Sequence, residues 1–122
     1  MKKSTSGATD PFGVAKKILQ APGPFVTSRV IARRFHAMSA TVIAAMEKLE
    51  SEGLGAMDRD LKCFFKSVPI FVSEERLQLY GVNLIEYSQS FRTKDGSLST
   101  NQWEVMIQHA PHQREMMRYF AN

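Results

Sequence analysis

Residues 27–54, TSRVIARRFHAMSATVIAAMEKLESEGL, decide how the rest of the chain is arranged. Thr27 places a side-chain oxygen where it can cap a first helix, and Val30, Ile31 and Phe35 recur at helical spacing to give that helix one buried stripe. His36-Ala37-Met38 is a short connection. Ser39 is expected to cap a second helix, in which Val42, Ile43, Met46 and Leu49 form the apolar stripe. Gly53 followed by Leu54 then supplies a left-handed stop and its hydrophobic clasp.

A short helix, a three-residue turn and a longer capped helix make a helix-turn-helix, a motif that lays its second helix in a DNA groove. Charge is distributed in keeping with that motif. Through Val68 the chain carries eleven Lys and Arg against six Asp and Glu, whereas from Pro69 onward it has five against six. No acidic residue lies between Asp10 and Glu47, an interval that contains Lys16, Lys17, Arg29, Arg33 and Arg34. Such a surface attracts a polyanion.

Upstream, residues 1–9 have too little apolar content to fold and read as a flexible basic arm. Asp10-Pro11 is an N-cap with proline at the first helical position, opening a helix to about Gln20 that buries Phe12, Ala15, Ile18 and Leu19. Ala21-Pro22-Gly23-Pro24 ends it, and Phe25-Val26 is a brief extended segment. Downstream, Gly55-Ala56-Met57 and residues 61–68 read as two strands around the polar turn Asp58-Arg59-Asp60, a β-hairpin of the size of a wing.

Helix, short strand, helix, helix and hairpin in that order resemble the winged helix-turn-helix family over residues 11–68. The segment TSRVIARRFHAMSATVIAAMEKLESEGLG looks most like the bacterial regulator and DNA-translocase versions, in which a capped helix, an aromatic, a turn and a long helix ending in LExEG and an apolar residue are common. The resemblance implies a DNA reader, although winged helices also include RNA binders and protein-docking modules.

Ser73, Glu74 and Glu75 are expected to open a third long helix, with Leu77, Tyr80, Leu84, Tyr87 and Phe91 in a narrow heptad seam suited to another helix. Gly81 within it costs about 1 kcal/mol relative to alanine. Thr93 to Ser97 read as a loop. Ser99 and Gln102 make a capping box for a last helix carrying Trp103, Met106, Ile107 and Ala110 on one side. Pro111 breaks that helix near Ala110, after which Met116, Met117 and Phe120 continue an apolar face. Dimerisation through long C-terminal helices is common in winged-helix regulators, so the resemblance implies a homodimer through Leu77, Tyr80, Leu84, Tyr87, Phe91, Trp103 and Ile107 that presents two recognition helices about one DNA turn apart. The alternative is that these helices fold back on their own domain.

The expected architecture is therefore mainly α with a small β-hairpin: a flexible arm at 1–9, a winged helix-turn-helix at 10–68 and a C-terminal helical extension at 69–122. The expected function is that of a small DNA-binding regulator or DNA-organising factor with double-stranded DNA as partner. Lys16, Lys17, Arg29, Arg33, Arg34 and Lys48 would neutralise phosphates, with His36, Ser39, Ala40, Thr41 and Ala44 at the groove and Arg59 on the wing. None of the groove residues offers bidentate guanine readout, and Asp58 and Asp60 flank Arg59 with repulsive charge. The competing expectation is a winged-helix adaptor in a larger assembly, its small Ala40, Ala44 and Ala45 face docking another protein.

Enzymatic and cofactor roles find no residue set. His109 and His112 form an H-x-x-H interrupted by Pro111 with no second cysteine or acidic ligand nearby, so no metal site is expected. The single Cys63 excludes an internal disulfide and reads as a small buried strand residue rather than a reactive thiol. No apolar run reaches the length of a membrane span, and no apolar signal core follows Lys2-Lys3, so no membrane partner is expected. These features place the protein inside the cell, a bacterial cytoplasm ahead of a nucleus.

Overall fold

The computed structural model describes residues 10–94, 96 and 98–108, with the side chain of Met106 left aside. Among them are six α-helices and a small antiparallel sheet: α1 (Pro11–Gln20), β1 (Phe25–Thr27), α2 (Ser28–Phe35), α3 (Ser39–Ser51), β2 (Gly55–Asp58), β3 (Cys63–Lys66), a 3-10 turn (Pro69–Phe71), α4 (Glu74–Gln78), α5 (Leu84–Arg92) and α6 (Thr100–Gln108). The arm at 1–9, the His109 and His112 pair, Ala110, Pro111, and the Met116, Met117 and Phe120 face lie outside the described residues.

Local signals set most of the boundaries. The Asp10 carboxylate accepts the Gly13 N–H at 2.7 Å, and Pro11 takes the first helical position, where a missing N–H costs nothing. Thr27 Oγ1 accepts the Val30 N–H at 3.2 Å and caps α2. At the other end of α3, Gly53 adopts φ +76°. Its N–H donates to the Glu50 carbonyl at 3.1 Å, and Leu54 N–H reaches back to Leu49 at 3.0 Å, with both leucines buried. This is a complete Schellman stop with its apolar clasp. Ser99 and Gln102 exchange backbone and side-chain bonds of 3.0 and 3.2 Å, the reciprocal capping box that opens α6.

Four expectations change. Ser39 is the first residue of α3 rather than its cap; Met38 holds the cap position without a side-chain bond, and His36 ends α2 at φ +54°. Phe12 is half-exposed and stacked on Tyr80 at 5.0 Å, while Val14 takes the buried place on α1. The hairpin gains a third strand, since residues 25–27 pair with β3 in the register Phe25↔Phe65, Val26↔Phe64, Thr27↔Cys63. The sheet order is β1-β3-β2. The third long helix is two short ones: Gly81 at φ +75° closes α4 with bonds from Gly81 N–H to Gln78 and from Val82 N–H to Leu77, and Asn83 caps α5 through the Glu86 N–H at 2.7 Å. A second Schellman stop followed by a second cap outweighs the continuous apolar spacing.

β3 is the centre of the molecule, buried along its whole length. Its side chains alternate between two cores, as the period of two requires. Phe64 faces the larger one, built from α1, α3, Leu77, Tyr80, Val82 and Tyr87. Cys63 and Phe65 face the smaller one, closed by Phe25, Val68, Phe91, Trp103 and Ile107. The hydrophobic core thus runs across Val68 without a break, and α4 and α5 pack on the same interior as α1 and α3.

Gly55 lies opposite Lys66, beneath the Phe64 ring. A Cβ there would press into that ring and lie 2.6 Å from the Phe65 carbonyl oxygen, whereas a Cβ at Gly53 meets nothing within 4 Å. Gly55→Ala is expected to cost about 3 kcal/mol by overpacking against backbone, and Gly53→Ala about 1 kcal/mol for its left-handed conformation alone. Urea unfolding of the two variants checks that order.

Candidate nucleic-acid interface

α2 begins where β1 ends, and the hairpin turn is tied to it there: the Ser28 N–H donates to the Lys62 carbonyl at 2.9 Å. Lys62 adopts φ +51°, which takes it out of the strand expected for it. The turn is built on Asp58, whose carboxylate accepts the N–H groups of Asp60 and Leu61, each at 3.0 Å. Between this turn, α2 and the first residue of α3 lies an open cleft of about 820 Å³, lined by Arg29, Arg33, Ser39, Leu61 and Lys62 among others. Three of its lining residues are cationic and none is acidic. Among the described residues, Arg29, Arg33 and Lys62 have no carboxylate within ion-pair distance.

The six expected phosphate-binding residues do not all converge. Arg29 and Arg33 line the cleft, and Arg34 is exposed on α2 outside it. Lys48 is exposed on α3. Lys17 instead lies over the Phe35 ring, its Nζ 5.5 Å from the centroid. Lys16 extends toward the turn that ends α4, where a Cβ on Gly81 would lie 3.3 Å from its Nζ. Lys62 was missed because the sequence assigns it to a strand; the capacity of Asp58 to hold two successive N–H groups was the available sign of a longer turn.

The groove set is divided between α3 and the end of α2. Ser39, Ala40 and Ala44 are exposed, Thr41 is half-buried, and His36 is exposed at the left-handed end of α2. Further along the same exposed stripe come Glu47 and Lys48. Arg59, expected on the wing, is turned onto α3: its guanidinium lies 3.1 Å from Glu50 and 3.9 Å from Glu47. Glu50 also accepts the Met57 N–H at 3.1 Å, and that bond, ahead of the Arg59 charge, holds its carboxyl below the usual range. Carboxylates from a neighbouring helix thus occupy the guanidinium that sequence alone leaves free, an exposed pairing that contributes under about 1 kcal/mol.

The seam expected to join two copies is consumed inside one. Leu77, Tyr80 and Tyr87 belong to the larger core, Phe91, Trp103 and Ile107 to the smaller, and Leu84 is partly buried against the former. The break at Gly81 rotates α4 and α5 separately onto the interior, so these side chains present no outer stripe. Tyr80 is fixed through its hydroxyl, which donates to the Glu52 carboxylate, while Arg76 donates to the Glu52 carbonyl at 2.9 Å and so covers the end of α3.

Among the described residues, no group of three or more metal-ligating side chains gathers and no helix is long and apolar enough to cross a membrane. Cys63 is buried, and desolvation, followed by the Asp58 charge, pushes its thiol up to about 12. No protein-family model matches the chain, and no curated protein or solved structure is recognisably similar to it.

Because the thiolate is the reactive species, native protein is expected to consume almost no Ellman's reagent at pH 8, and urea-unfolded protein to consume one equivalent per chain.

Proposed function

We propose that this chain is a winged-helix DNA-binding protein, a small regulator or DNA-organising factor that grips duplex DNA mainly by its phosphates. The observation that carries this reading is the cleft in which Arg29, Arg33 and Lys62 meet without a carboxylate. The element order supports it: α2 and α3, joined by a three-residue link, are followed by the β2–β3 hairpin of a small three-stranded sheet, the order expected of such a module. Phosphate contacts position a protein on DNA, and base contacts specify sequence. The exposed start of α3 offers Ser39, Ala40 and Ala44, which can touch a thymine methyl or a phosphate but cannot discriminate guanine. Affinity then comes from α2 and the hairpin turn, with weak preference among sequences. The wing contact passes from Arg59 to Lys62. A single copy suffices, because the apolar seam is already inside the protomer.

One observation favours the adaptor reading instead: Met38, 75% exposed, precedes an α3 whose exposed residues include Ala40 and Ala44, and Glu47 adds negative charge further along. A protein helix tolerates that pattern better than a phosphate backbone does.

Fluorescence anisotropy with labelled duplexes of unrelated sequence separates the two. If Arg29, Arg33, Lys62 and Lys48 each neutralise one phosphate, log affinity falls with log salt at a slope of about −3.6, and Arg33→Ala or Lys62→Ala removes about 0.9 from that slope on every sequence. Absence of duplex binding at low salt overturns the DNA reading and leaves the adaptor. A slope untouched by both variants removes the cleft from the binding surface.

A further inference from the structure

Lys66 ends β3 with its side chain entirely inside the protein. It follows Phe64 by two residues and therefore shares the face that meets the larger core. Its Nζ donates to the Ala21 carbonyl at 2.5 Å and lies 5.7 Å from the centroid of the Tyr87 ring. Those are its two side-chain partners among the described residues. An ammonium brings three donors, of which one finds an acceptor here. A buried charge so poorly satisfied is costly, whereas a neutral amine donating once fits the site.

Among the described residues, the surroundings supply no compensating charge. From α5 the amine meets the face of Tyr87, whose hydroxyl donates to the Ser67 carbonyl at 2.5 Å. Glu86, the acid of α5, is engaged by Gln20 Nε2 at 3.1 Å, and Lys17 of α1 is held over Phe35. β1 has no titratable side chain, and β2 contributes only Asp58, which holds the hairpin turn. On β3 itself, Cys63 belongs to the opposite core. Desolvation alone acts on the Lys66 amine and lowers its pKa to about 7.

The amine also occupies a mechanical joint. The loop at residues 21–24 is tied to α5 by Gly23 N–H to the Ser90 carbonyl at 2.8 Å, and Ser90 Oγ reaches Leu19 at 3.3 Å. Lys66 fastens the same loop from beneath, through Ala21 and through its own N–H to the Pro24 carbonyl at 2.8 Å. We propose that Lys66 makes this joint proton-operated: as a neutral amine it locks α5 onto the loop that ends α1, and on protonation it drives the two apart to reach water.

The direction follows from linkage. An opened lysine keeps its ordinary pKa of 10.5, so between that value and about 7 the open state binds a proton that the closed state lacks. Closure is therefore favoured about tenfold more for each pH unit climbed in this window, and below it the gain is gone.

The test uses the full chain. A titration of Lys66 Cε by NMR is expected to show a midpoint near 7. Hydrogen exchange of the Gly23 amide, corrected for its intrinsic rate, is expected to show protection rising about tenfold per pH unit above neutrality in the wild type. Protection in Lys66→Met, which keeps the length and removes the charge, should stay flat. A midpoint in the ordinary lysine range, or protection as flat in the wild type as in the variant, overturns the proposal. The titration and the wild-type exchange profile need no variant, so even if a Lys66→Met chain fails to fold, a midpoint in the ordinary lysine range or a flat wild-type profile still overturns the proposal.

Discussion

Everything in this fold depends on burying β3 on both of its faces. A four-residue strand with a helical layer on one side and α6 with its aromatic cluster on the other has no solvent face to spend on polar residues. That constraint explains why Phe64 and Phe65 can be adjacent, each entering a different core. It explains why Gly55 must lack a side chain, since the Phe64 ring lies over it. It also explains how a lysine comes to be fully enclosed, since Lys66 continues the alternation on the Phe64 side before the chain leaves the sheet.

The signals legible in the sequence were the short-range ones. Asp10-Pro11, Thr27, Gly53-Leu54 and the Ser99 and Gln102 pair act within one turn of backbone, so residue type and spacing carry nearly all of their information. The long apolar seam through Leu77 and Phe91 misled because periodicity cannot see that Gly81 and Asn83 end one helix and begin another. The third strand was hidden for a related reason: Phe25-Val26 is too short to announce itself, and its partners Phe65 and Phe64 lie far away along the chain. A heptad-like spacing is a statement about one straight helix, and here there are two.

The candidate interface divides along the same line. Arg29 and Arg33 were visible because two cations four apart on one helix must share a face. Arg59 was misplaced because the carboxylates that hold it come from α3, and Lys62 was missed because the turn runs on to Lys62 instead of ending at Asp60, which changes which cation faces the cleft. Lys16 and Lys17 joined the basic set by composition, yet α1 carries them toward Gly81 and Phe35. Charge counted along a chain becomes a surface potential only after the turns are placed.

The smaller core has an asymmetry of its own. Among the described residues, Phe25, Phe65 and Phe91 are covered on one side by α6, with Trp103 meeting Phe25 edge-on at 5.3 Å and Ile107 one turn further on. The sheet edges themselves are only three and four residues long, too brief to recruit a foreign strand. A chain cut short before α6 keeps those modest edges but uncovers an aromatic sheet face, and what it loses first is colloidal: shortened forms become sticky while their larger core is still intact.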